Sequence, residues 1–220
     1  MELSNYYLNA IGAGDDFNNV YFALSKGDVC CIQTDSTDDA HNFLKALATL
    51  VRPISGTYRY IGEKINLSDY RKLLPVKKKI GYIGQDAAMV SNRTVRENLL
   101  LMRFFFENSL SISLDERTYR LCRMFNLEDK LDVRPGALKP DDLRIAIAIR
   151  ELTKSFDVLL LDRPEDYFGY GRFDFFNEIF NDIKNFGQAV VFFSDDQDFV
   201  KTFPNRKILI ANGNLTENYM

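Results

Sequence analysis

Apolar residues in this chain fall into short unbroken runs, and between the runs they recur at helical spacing. Val29 to Gln33, Ile80 to Ile83, Asp157 to Asp162, Ala189 to Ser194 and Lys207 to Ala211 are runs of four to six residues with little polar interruption. Such runs read as strands buried on both faces, as in a parallel sheet. Tyr6 to Leu8 and Val20 to Leu24 flank Gly12, Gly14, Asp15 and Asp16, which predicts a hairpin. Thr57 to Tyr60 alternates like an exposed strand and stops at Gly62, and Gly213 marks a closing hairpin turn.

Helical periods fill the gaps. Thr34 to Asp39 reads as a polar turn, and from Ala40 onward Phe43, Leu44, Ala46, Leu47 and Leu50 share one face. Ser68 opens a short helical piece expected to stop at Pro75. Thr94-Val-Arg-Glu97 is a capping box leading into the apolar helix Leu99 to Phe106. Ser113-Leu-Asp-Glu116 is a second box, before a helix with Leu121, Met124 and Phe125 on one face. Pro140 suits the first turn of a third helix through Ile145, Ala146, Ile149 and Leu152, and Phe173 to Phe186 is a fourth. Three successive helices without a strand predict a helical insert in an α/β chain. The expected division is a core lobe of residues 1–85 and 155–220 and a helical subdomain of 86–154.

Composition narrows the function classes. With 46% of residues hydrophobic the chain can bury a real core, so disorder is excluded. A net charge of -3 without a basic stripe argues against nucleic acid as a partner. The start MELSNYYLNA has neither the basic nor the apolar region of a signal peptide, and no apolar run is long enough to cross a bilayer. Cys30, Cys31 and Cys122 have no metal-ligand spacing. The expectation is a soluble cytoplasmic chain with free thiols and no metal site.

Candidate chemistry centres on Gly27 to Leu47, where strand, tight polar turn and helix form the frame of a phosphate-binding loop. The usual chemistry is missing: no glycine lies between Thr34 and Ala40, and no Gly-Lys-Ser/Thr opens the helix. Taken in order, KGDVCCI, RPISGTYRYIGEKI, KKIGYIGQD, TVREN, IAIAIREL, DVLLLDRPE, VVFFSDD and ILIANGNL resemble successive segments of the ATP-binding subunits of ABC transporters, from about Val20 to Asn214. The resemblance implies one cassette spanning 1–220, of the α/β P-loop NTPase type. It would have a mostly parallel sheet, an antiparallel β part and an inserted helical subdomain.

The resemblance also implies where that family's working residues fall. Asp39 stands at a glycine of the phosphate loop, Ala40 at its lysine and His41 at its magnesium-binding hydroxyl, followed by Asn42. The signature loop is similar only in Leu138 and continues as Lys139, Pro140, Asp141 and Asp142, where Pro140 has no N–H to offer. Asp162 matches the aspartate that positions magnesium, but Arg163 stands at the catalytic glutamate and Asp195 at the switch histidine. Asp166, Tyr167, Phe168 and Gly169 replace the loop between them, and Ile11 takes the place of the adenine-stacking aromatic. Gln85 is retained where the family couples its two lobes to the membrane subunit.

These substitutions predict a catalytically inactive cassette, with no cofactor expected and ATP and magnesium implied by resemblance alone. The expected partners are a membrane permease, touched through Gln85, Met89 and Val90, and another cassette in a homo- or heterodimer at the inner face of the membrane. A working transport ATPase and a soluble adaptor without a permease remain as alternatives. His41, the single histidine, reads as a solvated side chain near a helix start. Asp35, Asp38 and Asp39 read as carboxylates favoured at a helix N-terminus rather than as a metal cage. Arg163 reads as a cation that ties down that acidic loop, and Leu99 to Phe106 as part core and part groove edge.

Overall fold

Two sheets carry the fold. The computed structural model describes residues 1–9, 14–107, 111–169 and 173–219; Ile11, expected at an adenine-stacking position, lies outside them. Strands β1 (Glu2–Leu8), β2 (Phe17–Ala23), β4 (Ser55–Tyr60) and β5 (Glu63–Lys64) form an antiparallel sheet in the order β2-β1-β4-β5. Strands β3 (Val29–Thr34), β6 (Ile80–Ile83), β7 (Val158–Asp162), β8 (Ala189–Phe193), β9 (Arg206–Ala211) and β10 (Asn214–Tyr219) form the second, in the order β10-β9-β3-β8-β7-β6. All its pairings are parallel except the β9–β10 hairpin, turned by Asn212 and Gly213 at φ 50° and 69°. β7 and β8 are buried at every position, as unbroken apolar runs require.

Helix α1 (Thr37–Leu47) packs over β3, β7 and β8. It ends at Ala48, and Thr49 turns left-handed at φ 58°, so Leu50 leaves the apolar face and stands 54% exposed. Helix α2 (Tyr70–Lys78) starts on Asp69, whose carboxylate accepts from the Arg71 and Lys72 amides, and it runs through Pro75 instead of stopping there. Pro75 and Arg71 both face solvent, where the carbonyl that the missing N–H leaves free is open to hydration, and Leu73 and Val76 are buried.

Between β6 and β7 the chain is helical: α3 (Val95–Glu107), α4 (Glu116–Met124), two short 3-10 turns and α5 (Pro140–Leu152). The Thr94–Glu97 box is reciprocal, the Thr94 amide donating to Glu97 Oε2 at 2.8 Å and the Glu97 amide to Thr94 Oγ1 at 3.2 Å. The second expected box does not form; Asp115 caps α4 by accepting the Thr118 amide at 2.9 Å. Starting there leaves Met124 on the exposed side while Leu121 and Phe125 are buried. After β7 come α6 (Glu165–Phe168) and α7 (Phe173–Asn185), and after β8 the short α8 (Gln197–Thr202). No helix among the described residues is long and apolar enough to cross a membrane.

Candidate functional site

β3, β6, β7 and β8 run parallel, so their C-terminal ends meet along one edge of the sheet, where open α/β sheets place ligands. α1 and the loops after β6, β7 and β8 leave from that edge.

Helix α1 begins at Thr37, three residues ahead of where the apolar period put it, and only Asp35 and Ser36 remain between it and β3. No glycine offers the backbone an escape from right-handed geometry, and acidic residues favour a first helical turn. The Ser36 carbonyl accepts the Asp39 and Ala40 amides at 3.1 and 3.4 Å, so donors that a phosphate-wrapping loop would leave free close the first turn. Asp39 is 2% exposed, and its Oδ1 accepts the Asp15 amide at 2.7 Å. Burial pushes its carboxyl up, and the Asp15 amide pulls it back. A Cβ at Gly14 would stand 2.6 Å from Asp39 Oδ1 and 3.1 Å from Asn42 Nδ2, so Gly14 lies directly on α1. Ala40 and Asn42 are buried.

His41 is not the solvated side chain expected from its position. It is 16% exposed, with Nδ1 2.7 Å from Oδ2 of Asp162, itself 1% exposed. The contact is closer to a charge pair than to an aligned hydrogen bond. Because α1 crosses over β7 and β8, its inward face meets the end of β7, and Phe193 at the end of β8 lies edge-on to the imidazole at 6.4 Å. Tyr82 Oη lies 3.5 Å from Asp162 Oδ2, and Asp162 Oδ1 is buried with no hydrogen-bond partner among the described residues. Contact with Asp162 raises the imidazole pKa, burial opposing it. The stability this pair contributes is therefore full below pH 6.5, the ordinary histidine value, and is lost as pH rises through the higher folded value. Melting curves across that range should show the wild type losing its advantage over His41→Asn as pH rises; parallel pH profiles would remove the ion pair.

Arg163 pairs with carboxylates of the loops after β7 and β8. Its Nε lies 3.2 Å from Asp166 Oδ2 and its Nη2 3.1 Å from Asp195 Oδ2, joining the loops after β7 and β8. Glu165 is buried beneath this pair, accepting from Ser194 Oγ and the Asp195 amide at 2.8 Å each, and burial pushes its carboxyl up. Gln85 Nε2 lies 3.5 Å from Asp166 Oδ2, and the Tyr167 hydroxyl donates to the Gly84 carbonyl.

The expected site residues thus fall into two groups. Asp39, Ala40, His41 and Asn42 lie together in the first turns of α1, with Asp39 and Asn42 against Gly14 and Asp15 and His41 against Asp162. Gln85 and Pro140 line a separate cleft of about 480 Å³ with Ala87, Leu143, Arg144, Ile147, Asp166 and Tyr167. Lys139 and Asp141 are exposed at the start of α5, and Asp142 pairs with Lys130 at 2.9 Å. Met89 packs against the core and Val90 is 41% exposed, while Asn98 holds the Val90 amide at 2.7 Å. Lys45 pairs with Asp86 at 2.7 Å, a contact sequence reasoning missed although Lys45 lies one helical turn beyond His41.

No family model matches the chain. The methionine import ATP-binding protein MetN of Mannheimia succiniciproducens is 27% identical over 202 residues, covering 91% of this chain and 58% of that protein. MetN of Bacillus subtilis is 26% identical over 221 residues, covering 98% of this chain and 63% of that protein. This chain therefore spans about three-fifths of the length of these relatives. The lipoprotein-releasing system ATP-binding protein LolD of Buchnera aphidicola is 26% identical over 147 residues, 66% of this chain and 64% of that protein. Among solved structures, the dimeric bacterial ABC transporter cassette MJ0796 superposes with a TM-score of 0.78 at 21% identity, over 99% of this chain and 97% of that one. The same cassette in a post-hydrolysis state bound to ADP and Pi gives a TM-score of 0.81 at 19% identity, over 99% of this chain and 97% of that one. The chain has the ABC-cassette fold and is a relative, along nearly its whole length, of the ATP-binding subunits of ABC transporters.

Proposed function

We propose that the chain is a non-catalytic cassette, a structural or regulatory subunit docked on a membrane permease at the cytoplasmic face and paired with another cassette. The division into a core lobe of 1–85 and 155–220 and a helical subdomain of 86–154 belongs to this reading. The observation that carries it is His41 lying against Asp162. In the resembled family these two positions supply a magnesium-binding hydroxyl and a magnesium-positioning carboxylate. Asp162 Oδ1, without a hydrogen-bond partner among the described residues, favours a cation near that carboxylate, and the imidazole supplies one from within the chain when it is protonated. The phosphate seat fits no better, because the Asp39 and Ala40 amides are used inside α1 and the Asp39 carboxylate takes the Asp15 amide. ATP and magnesium do not fit the residues present, and no reaction step is assigned to them.

The permease part of the reading draws on the relatives, two of which are named for import of methionine and one for release of lipoproteins. It also draws on a groove of about 310 Å³ beside Asp86 and Ala87, with Ala48, Leu50, Ile80, Tyr82 and Met102 on its apolar lining. The test is a complex of this chain with its membrane partners, purified from native membranes. ATP hydrolysis by that complex is expected to be unchanged by Asp162→Asn in this chain, and Met89→Asp with Val90→Asp is expected to release the chain. Hydrolysis abolished by Asp162→Asn would overturn the non-catalytic reading. Retention of the double variant would overturn the contact.

A further inference from the structure

At the edge where an open α/β sheet ordinarily receives a ligand, this chain places its own charged side chains against one another. His41 on α1 meets Asp162 at the end of β7 at 2.7 Å. Arg163 reaches Asp166 in its own loop and Asp195 after β8, at 3.2 and 3.1 Å. Glu165 closes the same pair of loops from below through Ser194 and the Asp195 amide, both at 2.8 Å. Tyr167 holds the Gly84 carbonyl, Gln85 lies against Asp166, and Lys45 reaches Asp86, so the loop after β6 is tied in as well. Every segment that leaves this edge from β3, β6, β7 and β8 is joined to at least one other by a side chain.

We infer that the crevice is liganded by the protein itself: these contacts hold the four segments in one arrangement without a small molecule. The inference rests on the proposed non-catalytic reading and deepens it, since the partner-facing surface around Gln85 would then be presented in one shape at all times. The residue types support the assignment. Asp162 is 1% exposed and takes a neighbouring imidazole in place of a free cation. Arg163 sits at φ 53°, a left-handed conformation that an arginine keeps only where its surroundings hold it. Its amide donates to the Phe193 carbonyl at 2.9 Å, so the backbone is fixed to the β8 end while the guanidinium reaches both carboxylates. The Arg163, Asp166 and Asp195 side chains are partly exposed, and a pair of that kind is weak alone; joined through one guanidinium over a buried Glu165, they act as a network.

Amide hydrogen exchange on the full-length chain tests this, read over residues 84–90, 163–169 and 194–197. In the wild type without nucleotide these segments are expected to exchange well below the rate of an unstructured peptide. Arg163→Ala is expected to speed exchange in 163–169 and 194–197 by about threefold to tenfold, the range that one or two partly exposed pairs support. β3 and β8 should remain unchanged, which shows that the variant is folded. Arg163→Lys, which keeps the charge but loses the fork, should fall between the two, and Asp195→Asn should repeat the effect from the other side. Free exchange of these segments in the wild type, or Arg163→Ala and Asp195→Asn profiles superposing on the wild type, would overturn the inference. Adding ATP with magnesium separates the two readings. Protection that appears only with nucleotide overturns both, whereas nucleotide binding to segments already protected, and loosened by Arg163→Ala, sinks the non-catalytic reading and leaves the self-liganded crevice standing.

Discussion

ATP with magnesium at millimolar concentration is expected to leave the melting temperature of this protein unchanged. Ala40 stands where the resemblance places the phosphate-binding lysine, Asp39 lies one residue before it, and the first-turn amides close on the Ser36 carbonyl. A unit charge pair at about 4 Å is worth roughly 4 kcal/mol at an effective dielectric of 20, so losing the lysine contact alone lowers affinity about a thousandfold. Acidic side chains near the same point add repulsion, and His41 already lies 2.7 Å from Asp162 Oδ2. A ligand stabilises the fold only as its concentration exceeds its dissociation constant, so the expected shift is close to zero. A melting temperature that climbs by several degrees with nucleotide, and returns on adding a chelator, would refute this.

Replacing Arg206 by leucine is expected to destabilise the fold by about 3–5 kcal/mol, the usual consequence of removing one partner from a buried charge cluster. Arg206 is 3% exposed and joins distant parts of the chain. Its guanidinium donates to the Ala23 carbonyl of β2 at 2.8 Å, pairs with Asp28, and reaches Glu217 of β10 at 2.6 Å. It also lies 5.6 Å from the centre of the Phe22 ring. Leucine would leave Asp28 and Glu217 without their shared cation at the seam between the two sheets. For a chain of this size the melting temperature should fall by on the order of 10 °C. Adding Asp28→Asn and Glu217→Gln to the leucine variant should recover part of that loss, because much of it is the penalty of leaving carboxylates unpaired. A single variant within a degree or two of the wild type would show that the cluster contributes little.

The positions of the five core strands, the pairing of the two hairpins and the helical insert were legible in the sequence because each depends on local pattern, but β9, beside the edge strand β10, alternates instead of being buried on both faces, with Leu209 44% exposed. The apolar runs of β7 and β8 are covered on both faces, and the Thr94–Glu97 box closes through its own two residues. The end of α2 was misjudged at Pro75 because exposure decides whether a free carbonyl there is satisfied by water. The start of α1 was misjudged because the polar residues that suit a turn suit an acidic first helical turn equally well, and without a glycine the helix takes them.

What the chain determines by itself is which residue stands at each of these positions: Ala40, His41, Arg163, Pro140 and Asp195 are read directly from the sequence. What each of these side chains meets is decided by strand order. β8 lies between β3 and β7, so α1 must cross it to cover the sheet, and only that crossing brings His41 to Asp162, 121 residues away along the chain. The same adjacency of β7 and β8 puts Arg163 between Asp166 and Asp195, although its charge had suggested the acidic loop of α1. Local pattern fixes which segments are strands and helices. Electrostatic pairing between their ends depends on separations of a few ångströms, and those exist only once the sheet has set which ends are neighbours.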